Sequence, residues 1–411
     1  MANDKSLPDI VKTLNADEFV GIYVKEGKPV ISAPGMLRFS DDEREKRKEI
    51  LLFLQSINLA KTMEKRDVNK SRNGGSFWPF ESYLWIIQDF LNNGYYYSRD
   101  KKYFNENKGK IEWKRTLRNT PVISNGNVIY DKFVTSRMTP SNDDIANIYR
   151  YCIKLASKRI GWLFNYDINV ELNYRKPVKE MSYLIKKELG ETFDDVKRLR
   201  FRHMFNILNE ADDDSLKSDS TYGITNYYYV FERMVDEYFG GIGDTEKQHY
   251  NPTGTWHMSD GRSVPSSSLR PDTIMIHDNA MYILDSKMYK FGYTGDLNDL
   301  PETTSIQKQI TYGDYVNTKT DMPIRNAFII PYDKDLKVFK SKACMKYMDE
   351  DHDLVYIGYA SGDWRNQKAD YDEVYTFLID LNFLVRNYRK KSTEDIEILT
   401  KQIEELIDIK D

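Results

Sequence analysis

The segment from Arg270 to Lys287, RPDTIMIHDNAMYILDSK, constrains this chain more than any other stretch. Two runs of alternating apolar residues flank Asp278-Asn279, a dipeptide that tolerates the left-handed backbone of a two-residue turn. A hairpin centred there pairs positions that sum to 557, which sets Asp272 directly opposite Asp285. Directly paired residues hold their Cβ atoms roughly 4.5–5.5 Å apart on one face of a sheet. The two-residue period of a strand puts Lys287 on that same face. Ile274, Ile276, Met281 and Ile283 share it and are expected to be buried. Facing carboxylates repel and weaken a hairpin, and a divalent cation between them would reverse that penalty. The segment therefore reads as a place to hold a metal beside an ammonium group.

Composition narrows the setting. With 411 residues the chain is long enough for two or three domains with real cores. Two distant cysteines, Cys152 and Cys344, suit a reducing compartment and exclude a disulfide framework or a cysteine zinc site. The start lacks the apolar core of a secretory signal, and no uncharged apolar run reaches the roughly 18 residues of a membrane span. A soluble cytoplasmic protein with no membrane association is expected. The net charge of −4 makes strong unaided non-specific DNA binding less favourable, although phosphate contacts need only a local basic surface.

The N-terminal part, residues 1–208, is expected to be a helix-rich mixed α+β region that binds a partner, DNA or both. Helices are expected over Asp42–Lys61, Trp78–Leu91 and Ile145–Phe164, the last capped from Ser141–Asp144, with further helical pattern to about Leu208. The acidic, aperiodic stretch at 209–222 reads as a linker. From 223 to 411 the pattern changes to helix, hairpin, helix, strand, strand, helices: an α/β domain with a mixed sheet flanked by helices. Its expected parts include a helix Asn226–Phe239 ended by Gly240-Gly241, a helix from Thr304 to about Val316, a strand Ala327–Ile330 closed by Pro331, and a strand Leu354–Tyr359.

The order Pro271-Asp272, twelve residues, then Asp285-Ser286-Lys287 resembles the core of the PD-(D/E)XK nuclease superfamily. That resemblance implies a restriction-endonuclease-like mixed sheet with Asp272, Asp285 and Lys287 as the catalytic set. It also implies a further carboxylate from the preceding helix, Glu232 first and Glu237 as the alternative. The following helix, with Gln307, Gln309 and Tyr312, is similar to the Gln-x-x-Tyr element that supports the site or the DNA backbone in some members. The chemistry agrees. Cleaving a phosphodiester requires neutralised phosphoryl charge and a water made nucleophilic near neutral pH. Mg²⁺, with Mn²⁺ able to substitute, prefers such carboxylate oxygens and keeps several waters. Asp272, Asp285 and Glu232 are the expected metal ligands, with the Ser286 carbonyl as support, and Lys287 would orient the attacking water. The bland alternative is a surface hairpin in which Lys287 simply pairs with Asp285.

Other chemistry finds little footing. The five histidines lack metal-ligand spacing, Gly240–Lys247 lacks the G-x-x-x-x-G-K-[ST] of a phosphate loop, and no G-x-S-x-G elbow is present. The basic runs Lys197–His203 and Trp113-Lys114-Arg115 are candidates for DNA or partner contact, though charge runs are more often solvated faces.

Several stretches resemble the LlaJI family of restriction endonuclease subunits, related to McrC: Ile111–Thr116, Ile160-Gly161-Trp162-Leu163-Phe164, Leu284–Tyr289, and Leu300-Pro301 leading into Ser305–Gln309. This implies a Mg²⁺-dependent DNA endonuclease subunit of a bacterial restriction system, cutting double-stranded DNA with a McrB-like AAA+ GTPase partner. One site per chain would require dimerisation for double-strand cleavage. The alternatives are a stand-alone type II restriction endonuclease, or a non-cleaving activator or assembly subunit of the GTPase.

Overall fold

The computed structural model describes residues 6–15, 17–26, 28–62, 78–97, 99–106, 108–119, 122–124, 127–130, 132–140, 144–164, 168–212, 221–340, 353–365 and 369–408. The chain divides into two compact units, Met1–Ser6 with Trp78–Lys217, and Leu7–Phe77 with Ser218–Asp411.

The second unit is built on a five-stranded mixed sheet in the order Thr273–His277, Ala280–Ser286, Ile324–Tyr332, Glu373–Asp380, Leu354–Ser361. The two outer pairs run antiparallel and the two inner pairs parallel. The mixed sheet expected from the sequence is thus present. Central parallel strands are covered on both faces and so read as continuous apolar runs; every residue of Ile324–Tyr332 is buried. Pro331, expected to close that strand, lies inside it opposite Ile379, because a proline near a strand end removes one donor without ending the pairing.

The parallel crossover from Ser286 to Ile324 carries the helix Thr303–Asn317. Its Tyr312 and Val316 pack with Ile274, Met281, Ile283 and Ile324 in one buried cluster. Residues of opposite parity face the other way, where the helix Thr393–Asp408 lies. There Glu404 accepts from Tyr282 Oη at 2.8 Å and from Arg325 Nε and Nη2 at 3.0 and 2.9 Å. The helix Tyr228–Phe239 ends at Gly240, as its Gly-Gly pair foretells.

A second sheet of this unit has the order Asp9–Thr13, Lys28–Pro34, Val20–Lys25, Thr221–Ile224. Val20 to Tyr23 pair antiparallel with Thr221 to Ile224. This long-range pairing ties residues 7–77 to the unit of the mixed sheet, whereas the sequence reading grouped them with region 1–208. Within the expected linker, residues 209–212 finish a helix and 221–222 begin a strand, and its middle, 213–220, lies outside the described residues. So do 141–143 of the expected helix cap.

The first unit joins helices Phe80–Asn93, Asp144–Ile160, Val178–Glu191 and Asp195–Asp212 with a three-stranded sheet, Arg99–Asn105, Val134–Pro140 and Lys110–Ile111. Part of the expected basic run is spent here on structure. Arg200 forms a two-pronged pair with buried Asp89, Nε to Oδ2 at 2.7 Å and Nη2 to Oδ1 at 2.8 Å, while Tyr149 Oη donates to Oδ2. His203 stacks on Trp85 with ring centroids 4.7 Å apart and pairs with Ser82 Oγ at 3.0 Å. Burial, aided by Arg202 and opposed by Glu81 and Asp89, lowers its pKa to about 4. A histidine held neutral in the fold takes up its proton more readily unfolded, so its contribution is complete above the ordinary histidine pKa and is lost as pH falls from about 6.5 toward 4. Thermal unfolding between pH 7 and 4 is expected to show a steeper loss of Tm for the natural chain than for His203→Asn. No described helix is long and apolar enough to cross a membrane.

Candidate active site

The hairpin register is the one read from the sequence: Thr273 pairs with Leu284, Ile274 with Ile283 and His277 with Ala280. The ladder stops one position short of Asp272 and Asp285, so these two stand at its mouth on the face that carries Ile274 and Ile283. Asp278 and Asn279 both have positive φ, 44° and 63°, as a two-residue turn of matching twist requires. A β-branched side chain resists that backbone at a cost of about 1–2 kcal/mol, so Asn279→Val is expected to lower the Tm measurably. Ile274, Met281 and Ile283 are fully buried, but Ile276 is 41% exposed. It sits near the hairpin tip, apart from the apolar cluster that covers its neighbours.

Asp285 is 1% exposed. Lys287 Nζ lies 2.6 Å from its Oδ2, and Lys308 Nζ lies 3.8 Å from its Oδ1. Neither oxygen accepts a hydrogen bond of good geometry from a described residue. Asp272 Oδ2 accepts from the Ser286 backbone N–H at 2.9 Å, which fixes one carboxylate against the strand that carries the other. Desolvation, then the charges of Asp285 and Glu232, push the Asp272 carboxyl well above the usual carboxylate range despite Lys287 and Lys308. Burial works to lower the Lys287 pKa, but Asp285 and Asp272 outweigh it and hold the ammonium above its ordinary value.

Glu232 projects from the helix Tyr228–Phe239 within electrostatic reach of Asp272. Glu237, the alternative, instead pairs with Arg233 at 2.9 Å on its own helix. Among the described residues no group of three or more His, Cys, Asp or Glu gathers closely enough to hold a metal by itself. Two carboxylates remain, with waters to complete a shell. Mg²⁺ favours that donor set, hard oxygens few in number, and the two unsatisfied oxygens of a buried Asp285 fit it.

Gln309 is fully buried and donates through Nε2 to the Ile283 carbonyl at 2.7 Å, while Asn326 Nδ2 donates to its backbone carbonyl. It therefore clamps helix to strand one turn from the site. Tyr312 is equally buried, and its hydroxyl donates to the Arg270 carbonyl at 2.7 Å, tethering the backbone that leads into Asp272. Ser286 Oγ is buried without a hydrogen-bond partner among the described residues.

Two lysines escape a reading of the sequence. Lys308 reaches Asp285 from the helix and stands over the Tyr312 ring, 5.4 Å from its centroid. The four-residue spacing of Lys308 and Tyr312 on one helix face is the available signal. Lys247 is nearly buried, paired with Asp236 Oδ2 at 2.9 Å and Asp244 Oδ1 at 3.1 Å, and it donates to the Asp272 carbonyl at 3.2 Å. Nothing in the local pattern around Gly243–Gln248 marks it.

A carboxylate pair strained by its own charge and flanked by ammonium groups suits charge-neutralising chemistry on an anion. The family model of the LlaJI restriction endonuclease matches residues 19–360. The chain belongs to the LlaJI restriction endonuclease family. This LlaJI-family chain is also similar to the component YdjA of the type II restriction enzyme BsuMI from Bacillus subtilis (strain 168), 22% identical over 403 residues that cover 89% of this chain and 84% of the relative. Among solved structures it matches a half-complex of Thermococcus gammatolerans McrB AAA+ hexamers with bound McrC, at 13% identity and a TM-score of 0.41, over 91% of this chain and 81% of the other. A second match, the McrBC complex of the same organism, has a TM-score of 0.24 at 13% identity, over 53% of this chain and 64% of the other.

Proposed function

We propose that this chain is the Mg²⁺-dependent DNA-cleaving subunit of a bacterial restriction system, with a PD-(D/E)XK core in its mixed sheet. The observation that carries this reading is the pair Asp272 and Asp285 at the mouth of one hairpin, with the Lys287 ammonium 2.6 Å from Asp285. Asp285 is buried, its pairing with Lys287 makes no hydrogen bond of good geometry among the described residues, and the charge of a second carboxylate acts on it, an arrangement that a purely structural ion pair does not need.

The metal, when bound by Asp272 and Asp285 with Glu232 nearby, supplies Lewis acidity toward a phosphoryl oxygen. Lys287 takes the remaining work at the anion. Its ammonium, held protonated by both aspartates, donates to the water that attacks and to the negative charge that builds on phosphorus-bound oxygen. Lys308, 36% exposed on its side chain, is placed to hold a neighbouring phosphate. Gln309 and Tyr312 keep strand and loop in register so that the two aspartates stay opposed.

A McrB-like AAA+ GTPase partner is proposed from the chain's resemblance to the McrC-related LlaJI family, and from the relative's name, which makes it one component of its enzyme. The same name, a type II enzyme, favours a second reading in which cleavage needs no nucleotide. A plasmid-cleavage assay separates them. The purified chain with Mg²⁺ or Mn²⁺ is tested alone, then with the partner, then with partner and GTP. Cutting only in the last arm supports the subunit, and cutting by the chain alone at a defined sequence supports the stand-alone enzyme. No cutting in any arm, with partner GTPase stimulated by the chain, overturns the nuclease in favour of an activator.

A further inference from the structure

A strongly basic segment of the first unit stands apart from the candidate active site in the sequence. Residues 99–118 carry eight Lys or Arg against three Asp or Glu, in a chain whose net charge is −4. The described part of this segment folds as the edge of the three-stranded sheet. Tyr103 and Lys110 both lie opposite Ser136, so they share one row on one face. The short helix Trp113–Thr116 follows at once and is pinned by buried Thr116, whose Oγ1 accepts from the Val134 N–H at 3.0 Å.

That architecture spreads cations over an exposed stretch. Lys108, Lys110, Lys114, Arg115 and Arg118 are all exposed, and among the described residues none of them forms an ion pair. Glu112, the single acid between Lys108 and Arg118, is turned toward the sheet, where it accepts from Ser136 Oγ at 2.8 Å. The Arg115 guanidinium carbon lies 3.8 Å from the centroid of the Tyr103 ring, a contact that holds the cation at this face. Trp113 is 55% exposed and meets Phe133 edge-on. Five like charges within eleven residues, with no ion pair among the described residues, repel one another, and a large aromatic left in water gains nothing there. A polyanion offering flat rings reverses both costs.

We propose that this face is a DNA-binding platform: Lys108, Lys110, Lys114, Arg115 and Arg118 contact backbone phosphates of duplex DNA, and Trp113 packs on sugar or base. This rests on DNA being the substrate, but not on which residues cut it. Anchoring the duplex to the chain that bears Asp272 and Asp285 raises its local concentration there.

The test uses the full chain carrying Asp285→Asn, without added metal, so that cleavage does not enter. Binding of a labelled duplex is followed by fluorescence anisotropy across a KCl series. In the triple variant Lys110→Ala/Lys114→Ala/Arg118→Ala the slope of log K against log salt is expected to shrink by about 2.7, at about 0.9 for each phosphate no longer neutralised. Trp113→Ala should weaken binding several-fold with the slope unchanged. The charge-keeping variant Lys110→Arg/Lys114→Arg/Arg118→Lys should bind as the parent does, which separates removal of charge from damage to the fold. An unchanged slope in the triple variant overturns the platform. So does equal weakening in the charge-keeping variant, and so does intact DNA binding with loss of a protein partner, which would assign this face to protein docking. Because the catalytic carboxylates play no part, failed cleavage elsewhere would leave this outcome readable.

Discussion

Asp285→Asn is expected to abolish cleavage, lowering its rate by at least about 10³-fold, or about 4 kcal/mol of transition-state stabilisation, while DNA binding persists. The reasoning is local. Asp285 is 1% exposed, its Oδ2 is paired with the Lys287 ammonium at 2.6 Å, and Lys308 also faces it. Asparagine has the same shape, so the sheet should survive. The substitution removes the charge proposed to hold the cation and the charge that pairs with Lys287 at once. Single-turnover cleavage measured beside equilibrium DNA binding separates the chemical loss from any loss of affinity. A variant that still cuts at a third of the natural rate would take Asp285 out of the chemistry.

Asp272→Asn should move activity and stability in opposite directions. The carboxyl of Asp272 is desolvated and faces the charges of Asp285 and Glu232, which is an unfavourable place for an anion in the metal-free protein. An asparagine keeps an oxygen for the Ser286 N–H and drops the repulsion. Without metal the variant is expected to melt above the natural chain, by about 2–4 °C for each kcal/mol relieved in a unit of this size. Mg²⁺ should then raise the Tm of the natural chain by mass action and leave the variant nearly unmoved. Cleavage is lost in the variant throughout. A residue kept only for the fold would show the reverse, a lower Tm on substitution and no response to the ion in either protein.

The features that could be read from the chain are those set by short-range rules. A two-residue turn with both φ values positive and strict alternation on either side leave one register, so the opposition of Asp272 and Asp285 followed from counting. The helix Thr303–Asn317 was legible within a residue at each end, because its apolar stripe had to cover the hairpin. What escaped depends on contacts distant in sequence. Nothing near Val20 announces that it pairs with Ile224, so the grouping of residues 7–77 with the mixed-sheet unit does not show in the local pattern. Ile276 fits the apolar pattern yet stays exposed, since burial requires a covering element as well as parity. Lys247 and Lys308 reach the aspartates only through tertiary packing, and a lysine on a helix looks solvated until its neighbours are known.

Anomalous diffraction at the manganese edge from crystals soaked in Mn²⁺ tests the metal site most directly. The expected result is a peak bonded to the carboxylates of Asp272 and Asp285, with the Lys287 ammonium drawn away from Oδ2 and still beside the ion. The contradicting result is a map at saturating Mn²⁺ with no peak between the two aspartates and the 2.6 Å pair of Lys287 and Asp285 unbroken.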